Sequence, residues 1–460
     1  MHELLGRGIY LGVQALRREP VRRALEDLRN SERMSRDELL QLQANRQLAQ
    51  LRFAQKHVPH YRAVLSPLLN ELNNARNWED VSTIMRQIPV LEKGTLVGNL
   101  SDYTADNLSQ LKTYPDKTSG SSGTPLTFPC DKSAWAYRHA LIFRCMEWFG
   151  VKVGEPSALF FGLHWNRRTR MQLVLRDFLL NRVRISAFEV GPQKLEKHLK
   201  ALIASRPTHI LGYPSATSDF CMLLKERQID LHHLRMKAVF LTAETLNESQ
   251  RSVIEEVTGA RCVNMYGSAE GGGNAFECPH GSLHISVEAT WVALKHPETN
   301  TGEALVTDMM LRACPLINYA VGDEISIKEG QCTCGRHHPL LEKVEGRSSD
   351  AILLSNGRKI SPDLPHYIFK PLGARGVIRK YRFVQLPNKE LYLFLVVTTK
   401  FSSQDLRDVE KGTLAAFGPE LSIVTRIVED LPHLANAKHR DFVQVTDAGA
   451  VEPYLKFLFA

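Results

Sequence analysis

Long apolar runs, a disulfide-type cysteine framework and long runs of like charge are all missing from this sequence of 460 residues. No segment comes near the ~20 uninterrupted apolar residues that a transmembrane helix needs, so no membrane span is expected. The first sixteen residues carry a Glu and an Arg within an apolar stretch, without a small-residue cleavage site after it, and therefore predict no signal peptide. Two interpretations of this stretch stay open: a helix docked on the protein body, which we favour, and a membrane-surface helix.

The eight cysteines are too few and too unevenly spaced for a disulfide scaffold, which favours a reducing cytoplasm. Five of them stand singly in apolar surroundings, as is typical of small buried hydrophobes: Cys130, Cys145, Cys221, Cys262 and Cys314. The formal net charge of +8 is mixed with acidic residues and forms no basic arm. This distribution favours small anionic ligands over nucleic acid. The sequence leaves the oligomeric state open, a dimer included.

A segment of serine, threonine and glycine from Lys117 to Pro125 is the most informative feature of the chain. Its glycines let the backbone approach a ligand closely, and its N–H and hydroxyl donors suit an oligophosphate. It ends in Gly123-Thr124-Pro125 rather than in Gly-Lys-Ser/Thr, which excludes the common P-loop of kinases and GTPases. A flexible linker has a similar composition, so the segment alone does not separate the two interpretations.

Strand and helix signals alternate from residue 157 to 266, which predicts an α/β fold with a mostly parallel, helix-flanked sheet. Residues 1–70 are predicted to form a helical N-terminal region, a β-rich region begins near residue 284, and a smaller α+β unit follows Gly346. We therefore predict a large domain over residues 1–346 and a small, mobile C-terminal domain over residues 347–460. Ligands of such sheets bind at the carboxyl ends of the strands, where we expect Tyr213, Glu244 and residues 267–270.

Five further motifs follow the Ser/Gly segment in order: Thr242-Ala-Glu-Thr245, Tyr266-Gly-Ser-Ala-Glu270, Tyr319-Ala-Val-Gly-Asp323, Gly346-Arg-Ser-Ser-Asp350 and Ala437-Lys-His-Arg440. With this order and spacing, the chain resembles the adenylate-forming (acyl-CoA synthetase) superfamily. Within it, the phenylacetate–CoA ligase and CapK-like branch is the nearest likeness, which His57–Arg62 and Ile88–Leu91 also resemble. The likeness covers most of the chain.

The resemblance implies an AMP-forming, ATP-dependent ligase that activates a carboxylate as an acyl-adenylate with Mg²⁺. The acyl group would then pass to a thiol, with CoA as the expected acceptor. Two alternatives remain. One is delivery to an amine, a carrier protein or a saccharide. The other is a weakly catalytic relative that binds nucleotide and serves as an interaction module.

The resemblance also implies residue roles. Glu270 would bind Mg²⁺ as a hard oxygen ligand, and Asp323 would accept the ribose hydroxyls. Lys438 would stabilise the charge that builds at the α-phosphate. Tyr213, Pro214 and Ser215 would line the acyl pocket. The nucleotide would further contact Thr118, Ser119, Gly120, Ser121, Ser122, Gly123, Thr124, Ala243, Glu244, Tyr266, Gly267, Ser268 and Arg347.

Each role has a plainer alternative. Glu270 is also explained as a solvated carboxylate, Asp323 as a turn residue after Gly322, and Glu244 as a carboxylate at a helix N-terminus. The chain also departs from the family pattern at three positions. Asn318 stands where an arginine is usual, Ser349 where the hinge aspartate is usual, and Ala437 where a glycine precedes the catalytic lysine.

The remaining three cysteines fall into two short clusters, Cys278 with His280 and His284, and Cys332-Thr-Cys334. Two such clusters separated by a β segment are able to supply four ligands to a tetrahedral zinc ion. We favour Cys278, His284, Cys332 and Cys334 as a closed structural site. His280 competes for the fourth position, with His337 and His338 behind it. Reduced cysteines on neighbouring loops are the alternative.

Overall fold

The computed structural model describes Gly8, Gly12 and residues 20–117, 126–162, 167–347, 352–353, 359–360, 377–386, 388, 390–417, 423–431 and 442–445. Its helices are α1 (Val21–Ser31), α2 (Arg36–His57), α3 (Pro59–Leu65), α4 (Leu69–Asn74), α5 (Trp78–Gln87), α6 (Lys93–Leu96), α7 (Lys132–Trp148), α8 (Arg167–Leu179), α9 (Leu195–Ser205), α10 (Pro214–Glu226), α11 (Glu248–Thr258) and α12 (Ser403–Phe417). No helix of these described parts is both long and apolar enough to cross a membrane.

The strands of the large unit are β1 (Thr113–Lys117), β2 (Thr127–Asp131), β3 (Ser157–Phe161), β4 (Arg182–Ser186), β5 (His209–Gly212), β6 (Ala238–Thr242), β7 (Cys262–Ser268), β8 (Gly272–Glu277), β9 (Leu283–Ile285), β10 (Thr290–Leu294), β11 (Thr301–Asp308), β12 (Tyr319–Lys328) and β13 (Leu340–Arg347). Those that follow are β14 (Ile352–Leu353), β15 (Lys359–Ile360), β16 (Ile378–Gln385), β17 (Leu391–Val397), β18 (Ile423–Ile427) and β19 (Phe442–Gln444).

Helices α1 to α3 and the start of α4 lie in the described part of the predicted N-terminal helical region, and local signals explain where these helices begin. Ser35 and Glu38 form a reciprocal capping box at the start of α2, and Asn77 and Asp80 do the same at α5. Pro59 occupies the first turn of α3, where its missing N–H has no helical partner to lose. These helices bury a continuous apolar core against β2 and the segment around residues 311–319.

A single mixed sheet of eleven strands, in the order β10-β11-β12-β13-β9-β8-β7-β6-β5-β3-β4, is the frame of the large unit. The half from β7 to β4 is parallel, as the βα alternation predicts. The half from β7 to β10 is antiparallel. The predicted β-rich region therefore continues the same sheet. Within this sheet the sequence predicts strands near residues 157–161, 208–212, 238–242, 261–266, 283–287, 304–307 and 323–328, and it does not predict β4, β8, β10 and β13.

The later part of the chain forms a separate four-stranded sheet, β18-β17-β16-β19, with its own apolar core beneath α12. Ion pairs tie this sheet to α10 of the large unit. The Arg379 guanidinium donates to both oxygens of Glu226 at 2.9 and 2.8 Å, and Lys380 Nζ lies 2.9 Å from Asp219 Oδ2. The boundary at residues 346/347 remains a prediction.

Gly212 marks the closest approach of two parallel strands. A Cβ atom built there would lie 2.5 Å from Cβ of Phe160 and 2.7 Å from its carbonyl oxygen, and both of those atoms are fixed by β3. We predict that Gly212→Ala lowers the free energy of unfolding by about 1–3 kcal/mol, because the added methyl group overpacks the sheet. Chemical denaturation measures this change.

Gly94→Ala is the matched control, since a Cβ atom at this α6 position meets nothing within 4 Å. Helix propensity predicts that this variant is as stable as the parent or more stable by up to about 1 kcal/mol. Equal stability of the two variants would contradict the described approach of β3 and β5.

Candidate nucleotide site and cysteine–histidine cluster

The carboxyl ends of β5, β6 and β7 lie side by side because these strands are parallel neighbours in the sheet. Glu244 follows β6, and its Oε2 accepts a hydrogen bond from the backbone N–H of Ser215, at 3.0 Å. This N–H belongs to the first turn of α10, where the helix supplies no acceptor and its dipole favours negative charge. Glu244, a predicted nucleotide contact, is thus joined to the predicted acyl pocket at Tyr213, Pro214 and Ser215.

The plainer interpretation of Glu244, a carboxylate at a helix N-terminus, holds for α10, the helix after β5. The next helix in sequence, α11, is capped by Asn247 and Gln250 instead. Ala243, just before Glu244, has φ of 72°, a conformation that non-glycine residues seldom adopt. Such strain persists only where the surrounding structure fixes the backbone, and it is often found at ligand sites.

A tight hairpin between β7 and β8 carries the motif Tyr266–Glu270. A Cβ atom at Gly267 would lie 2.6 Å from the carbonyl oxygen of Gly272 across the hairpin, so only glycine fits there. Ser268 Oγ accepts the N–H of Gly271 at 2.8 Å and closes the turn. Glu270 lies in this turn and is half-buried. The structure thus places Glu270 beyond the carboxyl end of β7, where the sequence predicts it.

Asp323 lies within strand β12 and not in a turn, although Gly322 before it has φ of +78°. Tyr266 Oη donates a hydrogen bond to Asp323 Oδ2 at 3.0 Å, which brings two predicted nucleotide contacts together. Arg347 is the backbone partner of Asp323 in the β12–β13 register. Arg347, a third predicted nucleotide contact, therefore stands opposite Asp323 on the adjacent strand.

Several predicted site residues lie outside the described residues: Thr118, Ser119, Gly120, Ser121, Ser122, Gly123, Thr124, Ser349, Asp350, Ala437 and Lys438. The strands that flank the Ser/Gly segment are described. β1 and β2 pair antiparallel, with Lys117 opposite Thr127. The segment 118–125 therefore joins two paired strand ends, and its phosphate-binding role stays a prediction, as does the role of Lys438.

Asn318 has a structural role that leaves no local signature in the sequence. It is buried, with φ of 51°, and asparagine tolerates this left-handed conformation better than most residues. Its Nδ2 donates to the carbonyl oxygens of Met85 and Ile88 at 2.8 and 3.0 Å, and its N–H donates to Thr307 Oγ1 at 2.9 Å. The asparagine at this position thus fastens the end of α5 to the sheet.

The structure brings Cys278, His284, Cys332 and Cys334 together, with one ligand atom from each lying within 4.8 Å of the others. The Sγ atoms of Cys278 and Cys332 are 3.7 Å apart, and Cys334 Sγ is 3.3 Å from His284 Nε2. Tetrahedral zinc with Zn–S distances of about 2.3 Å separates two sulfur ligands by about 3.8 Å, so the donor set fits zinc. The pairing of β9 with β13 produces this meeting, because His284 is opposite Leu340.

The protonation states at this cluster follow from burial and from nearby donors. Burial lowers the pKa of His284 to about 3, so the ring stays neutral and able to coordinate a metal. Burial raises the pKa of the Cys278 thiol to about 11. At Cys332 burial also acts to raise the pKa, but hydrogen bonds from Ser282 and from the N–H of Cys334 outweigh it, and the pKa is lowered.

Two of the histidines that compete for the fourth ligand position, His280 and His338, contact other side chains instead. His280 is exposed, and its Nδ1 lies 2.8 Å from Thr333 Oγ1. His338 is buried, and its Nε2 lies 2.8 Å from Glu288 Oε1.

A buried charged network lies behind the cluster and has no signature in the sequence. Glu288 Oε1 also accepts hydrogen bonds from Ser31 Oγ at 2.5 Å and from the Arg144 guanidinium. Burial would raise the pKa of Glu288, but Arg144 and His338 hold it well below the ordinary value. The Trp148 ring connects this network to the cluster, with its centroid 6.0 Å from that of His284.

No family model matches the chain. The chain is 24% identical over 263 residues to Protein CapK of Staphylococcus aureus, which is 57% of this chain and 58% of that protein. It is 26% identical over 170 residues to a phenylacetate–coenzyme A ligase of Thermus thermophilus, which is 35% of this chain and 38% of that protein. The chain thus matches about half of the length of these relatives.

A solved structure of 2-hydroxyisobutyryl-CoA ligase, in the postadenylation state with an acyl-AMP, has the same fold. It aligns with a TM-score of 0.72 at 17% identity, over 93% of this chain and 94% of that chain. The chain thus has the fold of this ligase. The two sequence matches confirm the resemblance to the phenylacetate–CoA ligase and CapK-like branch of the adenylate-forming superfamily.

We predict that Asn318→Arg, which introduces the residue that the sequence resemblance leads us to expect here, destabilises the protein by about 2 kcal/mol or more. It leaves the carbonyl oxygens of Met85 and Ile88 without a donor and places a larger side chain in a left-handed conformation. Thermal or chemical unfolding measures the loss. Asn74→Arg at the exposed end of α4 is the control, with an expected change within about 0.5 kcal/mol. Equal stability of the two variants would contradict the structural role of Asn318.

Proposed function

We propose that this protein is an ATP-dependent ligase that activates a carboxylate as an acyl-adenylate and then transfers the acyl group to a thiol, with CoA as the acceptor. The observation that carries the proposal is a shared location: Glu244, the Tyr266–Asp323 pair and the Glu270 turn all lie at one edge of the sheet. This edge lies at the carboxyl ends of parallel strands, where ligands of α/β sheets bind. Three of the sequence motifs supply these residues.

The chemistry of each group supports its proposed role. Asp323 is a hydrogen-bond acceptor that Tyr266 orients, and ribose hydroxyls are donors. Glu270 supplies hard oxygen atoms in a half-buried turn, which suits Mg²⁺ bound together with phosphates. Lys438 would bring a compact cation to the α-phosphate, and we propose that it arrives with a mobile C-terminal domain.

Delivery of the acyl group to an amine, a carrier protein or a saccharide is the second candidate, and the sequence similarity to CapK favours it. We further propose a cytoplasmic location, since the reaction uses ATP and all eight cysteines are free. Pyrophosphate release with and without CoA, across a panel of carboxylic acids, separates the acceptors. Release that is strongest with CoA supports the thiol ligase, and release indifferent to CoA favours the second candidate.

The role of Lys438 is tested by Lys438→Ala. We expect carboxylate-dependent pyrophosphate release to fall by about 10²–10³-fold, because a preorganised cation at the developing charge is lost. Lys411→Ala is the matched control, as Lys411 is exposed on α12 of the same C-terminal unit, and its rate should stay that of the parent. A Lys438→Ala variant that works at the parental rate would show that Lys438 has no part in adenylation.

We also propose that Cys278, His284, Cys332 and Cys334 hold a structural zinc ion. The donor set, the sulfur separation and the neutral imidazole support it. All four positions are taken by protein side chains, which is the pattern of structural rather than catalytic zinc. The ion would join the β8–β9 connection to the turn before β13.

Metal analysis of chelator-washed protein tests the zinc site. We expect about one zinc per chain in the parent and almost none in the double variant Cys332→Ser with Cys334→Ser, which should also unfold at a lower temperature. Cys221→Ala is the control, because this thiol is buried in α10 away from the cluster, and zinc should be retained. Parent protein without stoichiometric zinc would end the proposal.

A further inference from the structure

Arg138 of α7 bridges two carboxylates that belong to different parts of the large unit. Its Nη1 donates to Asp116 Oδ2 at 2.9 Å, and its Nε donates to Asp308 Oδ2 at 3.0 Å. Asp116 stands at the end of β1, one residue before Lys117, and Asp308 ends β11. The guanidinium and the Asp308 carboxylate are both largely buried, with 14% and 3% of their side chains exposed.

The bridge touches the turn that carries Glu270. A Cβ atom at Gly272 would lie 2.9 Å from Asp308 Oδ2 and 3.3 Å from Arg138 Nε. Gly272 has φ of +73° and is the first residue of β8, two positions after Glu270. The backbone of the turn therefore rests directly on the ion pair.

A second contact strengthens the same junction. Asp131, at the end of β2, accepts the N–H groups of Arg312 and Ala313 at 2.6 and 2.8 Å through Oδ2. The N–H of Met310 donates to Asp308 Oδ1 at 2.8 Å. Asp131 thus fixes the β1–β2 hairpin to the segment after β11, and the Met310 N–H holds the Asp308 carboxylate within that segment.

We propose that Arg138 is a positioning residue for Mg-ATP, which sets the Glu270 turn at a fixed distance from the end of β1. This inference rests on the proposed function. Only a planar guanidinium with several donors is able to hold both carboxylates in one geometry, whereas an ammonium group acts as a point charge. Asp116 is the outer and more exposed arm of the bridge, with 27% of its side chain accessible, and Asp308 is the inner arm.

The test removes the negative charge of Asp116 alone, because an asparagine amide oxygen still accepts a hydrogen bond but carries no charge. Asp116→Asn keeps the shape of the side chain and leaves the buried Arg138–Asp308 pair in place. We expect the Kd for Mg-ATP, measured by equilibrium binding to the full chain, to rise about tenfold. The unfolding temperature should stay within about 2 °C of the parent. In turnover, the KM for ATP should rise while the KM for the carboxylate is unchanged. Arg138→Lys should give a Kd for Mg-ATP between that of the parent and that of Asp116→Asn.

Asp177→Asn is the matched control, because Asp177 holds Arg184 through two hydrogen bonds of 2.7 and 3.0 Å between α8 and β4. It should leave the Kd for Mg-ATP unchanged. Parental affinity in Asp116→Asn would overturn the inference, as would an equal loss of affinity in Asp177→Asn. A parent chain that does not bind Mg-ATP at all would instead overturn the proposed function, and the inference with it.

Discussion

The change of direction at β7 is the constraint on which the site depends. This strand pairs parallel with β6 on one side and antiparallel with β8 on the other, so the chain must reverse within residues 268–272. The hairpin is so close that a side chain at Gly267 would strike the backbone of Gly272. The reversal places Tyr266 and Glu270 at the edge where the parallel strands end, and a ligand bound there meets both halves of the sheet.

Charges at this edge are held by partners that come from distant parts of the chain. Glu244 caps α10, Asp323 accepts a hydrogen bond from the Tyr266 hydroxyl, and Asp308 forms an ion pair with Arg138. The buried Asp308 would be costly without its partner, and at the half-buried Glu244 and Asp323 the hydrogen bonds fix the orientation of the carboxylates. A site with oriented acceptors and donors loses little entropy when the ligand arrives, which is the general advantage of preorganisation.

The elements that follow from local patterns of apolar residues were predictable from the sequence. The sequence predicts strands over residues 157–161, 238–242 and 391–397 and a helix over residues 403–417. Strands β3, β6 and β17 and helix α12 have these bounds, because apolar strand runs and helical spacing are local signals. The zinc-type donor set was also predictable, since few residue types bind such a metal. Strand β8 was missed because its two leading glycines weaken the strand signal, and β13 because it carries charged residues. The Arg144–Glu288 pair and the Asn318 contacts were missed because partners far apart in sequence leave no local pattern.

Carboxylate activation is tested most directly by identifying which bond of ATP is broken. Phosphorus NMR of the parent protein with Mg-ATP, CoA and a panel of carboxylic acids resolves the products. Activation as an acyl-adenylate predicts AMP and pyrophosphate in equal amounts, only when a suitable acid is present, and no ADP. Formation of ADP and phosphate, or ATP left intact with every acid, would contradict it.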